Sequence, residues 1–170
     1  MKRIFLLSVA LMLAPTMLAA QVEIGIDGGL SIESVDDAND DVTSFSVPTS
    51  GLRVGFMGGE TVVIESRVAL AYTSVGDFSL TRLTLVPGVN VLLGEQFYVR
   101  GEAGLAYVSD DDDSLTQFLL GAAAGLRVPV ADGVLFRAEG GFDRWLENED
   151  EFIRASWEIR LLAGLSAVIN

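Results

Sequence analysis

Carboxylates supply most of the chemistry this sequence could offer, and they come in two arrangements. The first is a set of runs: Asp36-Asp37, Asp40-Asp41, Asp110 to Asp113, and Glu149-Asp150-Glu151. Clustered carboxylate oxygens are what Ca²⁺ and Mg²⁺ take as ligands. Asp110, Asp111, Asp112, Asp113, Glu149 and Asp150 are therefore the candidate ligands for a divalent cation, held weakly. Their spacing is not that of an EF-hand loop, which alternates its ligands around a central Gly. The competing reading of the same runs is a solvated, self-repelling rim that keeps its loops extended. In the second arrangement, single acids stand two residues from an arginine: Glu65 and Arg67, Arg100 and Glu102, Arg137 and Glu139, Glu158 and Arg160, with Arg154 nearby. Residues two apart share one face of a strand. Glu102 and Glu139 could do paired acid–base work, but the flanking Arg100 and Arg137 favour a structural ion network.

Several reaction classes are excluded outright. The chain has no histidine and no cysteine, which removes imidazole bases, thiol nucleophiles, disulfides and a lipid-modified N-terminal Cys. No Lys follows a Gly run, so no Walker A phosphate loop exists. The net charge of −13 is wrong for a nucleic-acid partner. No cofactor is expected beyond weak Ca²⁺ or Mg²⁺ at the acidic runs.

The elements that must position these charges are read from the alternation between them. Residues 1–20 read as a cleavable secretory signal: Lys2 and Arg3 precede the apolar stretch 4–14, then Pro15 and the small Ala19 and Ala20. That stretch is shorter than the roughly 20 residues of a spanning helix. Removing residues 1–20 deletes Lys2 and Arg3 and no acid, which moves the net charge from −13 to −15 and leaves nine arginines with no lysine. Residues 21–170 then suit a single domain. Within it, Phe97, Val99, Ala103, Leu105 and Tyr107 alternate with Arg100, Glu102 and Gly104, a period of two that marks a strand. Short turns at Gly58-Gly59-Glu60, Gly94-Glu95-Gln96 and Ala131-Asp132-Gly133 separate longer acidic connections. The spacing predicts eight strands, near 22–34, 42–57, 61–73, 78–93, 97–108, 115–130, 134–146 and 152–169. An all-β, eight-stranded, antiparallel up-and-down barrel follows, with short turns at one end and long loops at the other.

Alternation alone does not say which face is outside. The apolar phase is bulky, as in Leu83, Leu85, Val89, Val91 and Leu93, whereas the other phase interleaves glycines with charges. Eight strands enclose room for modest side chains only, which puts the lean phase inside. Its acids Glu23, Asp27, Glu65, Glu102, Glu139, Asp143 and Glu158 nearly balance Arg53, Arg67, Arg82, Arg100, Arg127, Arg137, Arg154 and Arg160. A confined interior needs that balance, because an unpaired buried charge costs about 3–5 kcal/mol. Outward aromatics gather at two levels: Phe56, Phe97 and Phe136 beside the short turns, and Tyr72, Tyr107, Phe118 and Trp157 near the acidic loops. The ten residues from Phe97 to Tyr107 span ~23 Å in a tilted strand, close to the ~25 Å apolar band of a membrane barrel.

On these features the chain resembles the small eight-stranded outer-membrane barrels, the group of the OmpA transmembrane domain and OmpX. The resemblance covers residues 21–170 and rests on pattern. It implies the outer membrane of a Gram-negative-type bacterium, insertion by the barrel assembly machinery, contact with outer-membrane lipid and lipopolysaccharide, and a monomer. It implies no enzyme, since the barrel phospholipase, deacylase and proteases resemble one another in needing a His base. Two departures are expected to matter. No peptidoglycan-binding domain is expected after the barrel, and the last strand ends in Asn170 where the family's assembly signal ends in an aromatic residue. The functional expectation is a structural or surface-interaction barrel with a charge-filled, non-conducting lumen. The alternative is a ligand-binding or small-solute transport barrel, porin-like in the membrane or lipocalin-like in the periplasm.

Overall fold

Nine antiparallel strands close into one barrel of eight staves. The computed structural model describes residues 21–35, 42–46, 51–75, 78–109, 114–148 and 154–169. The strands are β1 (Val22–Val35), β2 (Val42–Ser46), β3 (Gly51–Met57), β4 (Val62–Val75), β5 (Phe78–Leu93), β6 (Phe97–Ser109), β7 (Ser114–Ala131), β8 (Val134–Trp145) and β9 (Ser156–Ile169). From β3 onward each strand pairs with the next in an up-and-down order; β1 pairs on one side with β3 and β2, and on the other with β9 from Val22↔Ile169 through Val35↔Ser156. That last ladder closes the sheet on itself; among the described residues β2 pairs with β1 alone. Closure is what a bilayer demands, because backbone groups there have no water to bond.

β2 and β3 are two parts of one stave, expected as a single strand over 42–57. β3 pairs with β1 as far as Asp27↔Gly51, and β2 resumes at Ser31↔Ser46. Between these pairs β1 has three residues and its neighbour four, so the register along β1 shifts by one across positions 47–50, which lie outside the described residues. The final strand is shorter than expected: it begins at Ser156 rather than 152, and Arg154 and Ala155 carry no strand pairing. The prolines mark further irregularities, since neither can donate to a ladder. Pairing of β5 to β6 lapses at Val86 and Pro87, and the β7–β8 register shifts between Pro129 and Ala131. At the short turns, Gly59, Gly94 and Gly133 all take positive φ, which a side chain would strain.

The two faces of each strand have opposite characters. Outward residues such as Ile26 (62% exposed), Leu70 (62%) and Leu161 (61%) lie bare on the outer surface. Inward residues are buried, and most of the large ones are charged. A water-soluble barrel would show the reverse, so the exterior is a lipid-facing belt. Tyr72, Phe97 and Phe118 are exposed on it, while Phe56 and Trp157 are half-buried. Phe142, an aromatic outside both expected girdles, is also exposed on this surface.

Lys at Leu161, near the middle of β9, is expected to lower stability in lipid by about 2–4 kcal/mol. Urea titration checks this, with the mobility difference between unheated and boiled samples on a gel reporting the folded fraction. An unchanged midpoint would contradict a lipid-facing Leu161.

Candidate functional site

The interior holds one connected ion network. Arg53 donates to Asp27 through Nε (2.6 Å) and to Glu65 through one terminal nitrogen (2.6 Å), and it reaches Glu139 at 3.3 Å. Arg100 bonds Glu65 and Glu102, and Arg137 joins Glu23 at 2.9 Å with Glu65 at 2.5 Å. Arg127 reaches Glu23 at 2.9 Å and Arg67 reaches Glu102 at 2.7 Å. Arg160 closes the set by contacting Glu102 at 2.5 Å, Glu139 at 3.4 Å, and Asp143. Six carboxylates and six guanidiniums are thus linked without a break, and their charges cancel. All but Arg67 are at least nine-tenths buried.

Side-chain size decides how such long groups fit. Gly88 lies under the Arg100 guanidinium, where an added Cβ would come within 2.8 Å of Cζ. Gly141 does the same for Arg160, at 2.6 Å. The inner glycines are therefore the recesses into which arginines fold flat. Tyr98 fills the lumen beside them, almost fully buried, with its hydroxyl donating to Glu139 at 2.8 Å and Arg137 lying 5.0 Å over its ring.

Towards the end of the barrel with the long connections, the filling changes. A cavity of about 340 Å³ opens there, with Glu33, Arg67, Arg82, Asp143, Trp145 and Glu158 in its lining. Trp145 is buried, donates its indole N–H to Glu158 at 3.2 Å, and carries the Arg82 guanidinium 5.8 Å over its ring. Ser156 donates to Glu33 at 2.8 Å.

Of the residues expected in a lumen network, Glu65, Arg67, Arg100, Glu102, Arg137, Glu139 and Arg160 lie in it. Glu158 stands above it at the cavity. Arg154 is exposed and precedes β9, and Arg82 is exposed at the cavity mouth, so neither belongs to the buried set. Arg100 does bond Glu102 on its own strand, but other pairings differ from those suggested by sequence proximity: Arg137 bonds Glu23 and Glu65 rather than Glu139, and Arg67 bonds Glu102 rather than Glu65. Asp110, Asp111, Asp112, Asp113, Glu149 and Asp150 lie outside the described residues, as do residues 1–20. Among the described residues no group of three or more His, Cys, Asp or Glu could hold a metal ion. Sequence reasoning did not single out Tyr98, Asn90 or Trp145. Their phase was readable: Tyr98 shares parity with Arg100 and Glu102, and Trp145 shares it with Arg137, Glu139 and Asp143.

No family profile and no curated protein sequence matches the chain. Solved structures do. Ail, the attachment invasion locus protein of Yersinia pestis, is similar at 12% identity and a TM-score of 0.54, covering 89% of this chain and 100% of that one. Its complex with the heparin analogue sucrose octasulfate aligns with a TM-score of 0.52. Neisserial surface protein A aligns at 13% identity and a TM-score of 0.53, over 86% of this chain and 96% of that one. The fold is that of a small outer-membrane β-barrel. The bare apolar belt around a charged interior is the inside-out construction of a membrane-spanning barrel, with lipid against the outward phase.

The barrel's ion pairs are not equally replaceable. Asp27 has Arg53 as its sole ion-pair partner among the described residues, whereas Glu65 and Glu102 each have three. Arg53→Leu is therefore expected to cost about 3–5 kcal/mol by stranding a buried carboxylate. Arg100→Leu should cost clearly less, because both of its acids keep other partners. Urea unfolding in lipid measures the difference, and the reverse order would contradict this wiring.

Proposed function

We propose that this chain is a non-enzymatic outer-membrane barrel whose lumen is plugged by its own ion pairs and which acts through its loop-bearing end. The observation that carries the reading is the connected network of six arginines and six acids across the interior. Carriage through the barrel would require these groups to separate in a confined space, and each stranded charge costs several kcal/mol. The lumen therefore blocks passage. The inner face carries Arg and carboxylate groups tied to one another, which leaves no activated nucleophile for a catalytic role.

In this reading the short turns face the periplasm and the long connections face outward. The barrel sits as a monomer in lipid and lipopolysaccharide after insertion by the assembly machinery. What Ail binds is a property of Ail; a strongly acidic outer end is unsuited to a polyanion such as a heparin analogue. The carboxylates at 36–41, 77, 110–113 and 147–151 would instead meet anionic lipopolysaccharide through bridging Mg²⁺ or Ca²⁺. Such bridging is weak, collective and screened beyond about 8–10 Å at physiological ionic strength.

Two measurements test these statements. Purified protein in planar bilayers is expected to show no stable, porin-sized conductance, and steady open channels would sink the plugged-lumen reading. Ca²⁺ is expected to raise thermal stability in lipopolysaccharide-containing membranes, and replacing Asp110 to Asp113 by Ser should reduce that rise. An unaltered response in the Ser variant would leave the run as a solvated loop tip.

A further inference from the structure

The lipid-facing belt is not uniform around the barrel. On β1, β3, β4 and β5 the outward residues are mostly large, as at Ile26, Leu52, Leu70 and Val89. On β6, β7 and β8 they are small at mid-height: Gly101, Ala103, Ala122, Ala124, Ala138 and Gly140. Cross-strand register turns this difference into a groove. One row reads Val99, Ala124, Gly140, Leu161 from β6 to β9, two small residues between two large ones. An open apolar groove of about 640 Å³ lies there, with Phe97 and Leu126 also in its lining. That volume is within the range of ligand sites.

A second feature stands directly above the groove. Arg144 is the only charged residue on the outward phase of the described strands, set between the buried, inward Asp143 and Trp145. Its own row reads Ala103, Leu120, Arg144, Trp157, which puts it at the aromatic level near the long connections. Arg144 and Gly140 share one outward column of β8, four residues or ~13 Å apart. A guanidinium on the lipid face is costly unless it reaches the head-group region and meets an anion there. Its planar fork matches phosphate oxygens, and its five N–H donors can hold a phosphate alongside contacts within the chain. A cation above an apolar groove is complementary to a lipid with a phosphate head and acyl chains below it. The lean patch is three strands wide, about 10 Å between the outer two, which gives room for more than one chain side by side.

We infer that this face docks the phosphorylated lipid anchor of lipopolysaccharide, with a phosphate on Arg144 and an acyl chain lying over Ala122, Ala124 and Gly140. The contact is direct, and so differs from cation-bridged contact at the acidic runs. The assignment to lipopolysaccharide rests on the proposed orientation, with the long connections outward; the groove and its cation do not.

The test uses the full barrel in phosphatidylcholine nanodiscs doped with diphosphoryl lipid A, its dephosphorylated form, or phosphatidylglycerol. Native mass spectrometry reads lipid retention, and thermal melting reads stability. Diphosphoryl lipid A is expected to be retained in preference to the other two and to raise the melting temperature, with or without EDTA. Arg144→Gln should lower its retention about tenfold, a change typical of losing a charge-assisted hydrogen bond. Arg144→Lys should restore part of it. Gly140→Leu fills the groove and should lower retention with the cation intact; a Cβ there meets only Leu161 Cδ2, at 3.5 Å. Gly28→Leu adds the same bulk to the outward face of β1, where a Cβ meets nothing within 4 Å, and should change nothing. Equal retention of phosphorylated and dephosphorylated lipid A, or undiminished retention in Arg144→Gln, would overturn the inference. So would equal losses in Gly140→Leu and Gly28→Leu, the mark of a non-specific lipid shell. Loss with EDTA would overturn it too, by moving the contact to cation-bridged acids. Protease cleavage of the long connections in whole cells is followed separately. Cleavage only after permeabilisation would overturn the outer-leaflet assignment, while the nanodisc result judges the groove itself.

Discussion

Hydrocarbon outside the barrel permits no unpaired backbone group, and the rest of the structure depends on that constraint. It forces β1 onto β9, and closing eight staves fixes the width of the interior. A fixed and narrow interior inside an apolar belt has to carry all the inward side chains. Once those side chains are charged they must also sum to zero, which is the condition met by the six arginines and six acids of the network. Arginine suits the task better than lysine, since one planar guanidinium reaches two or three acids at once. Arg53 touches Asp27, Glu65 and Glu139 on three other staves, and so laces the cylinder across its width.

Glycine is the steric counterpart of that wiring. Arginine is too long to stand upright in an eight-stranded lumen, so it must lie along the wall. Gly88 beneath Arg100 and Gly141 beneath Arg160 provide the wall with the needed recesses. The lean inner phase is therefore complementary to the network rather than empty, and substituting either glycine would push a guanidinium off its acids.

Much of this was readable from period two. Strand positions, the short turns and the outward face of residues such as Leu83 and Leu161 follow from alternation, because a one-residue slip would turn every side chain to the wrong medium. Apart from Arg100 with Glu102, the partners were not readable. Arg137 and Glu139 are neighbours in sequence, yet same-face residues on one strand lie ~6.6 Å apart, while long side chains from opposite staves meet in the middle. Glu23 and Glu65 thus capture Arg137 from other strands. Tyr98 and Trp145 also went unnoticed, since an inner phase expected to be small gave no reason to place large rings there. The extra residue between Gly51 and Ser46 is a matter of pairing register, which alternation over 42–57 does not encode.

The network also explains where the remaining charge must go. With six of the nine arginines of residues 21–170 matched one-to-one inside, the excess of acid has to lie at the two ends. Glu60, Glu95 and Asp132 sit at the short turns; Glu33, Glu158 and all the acidic runs belong to the opposite end, with Arg82, Arg144 and Arg154 as the only counter-charges there. The molecule is therefore polarised along its axis. A low-dielectric wall around a mouth of one sign focuses the field and concentrates counter-ions. A cation near the loop end therefore meets a more favourable potential than one near the short turns, and the matched charges of the network between the two ends add little to either.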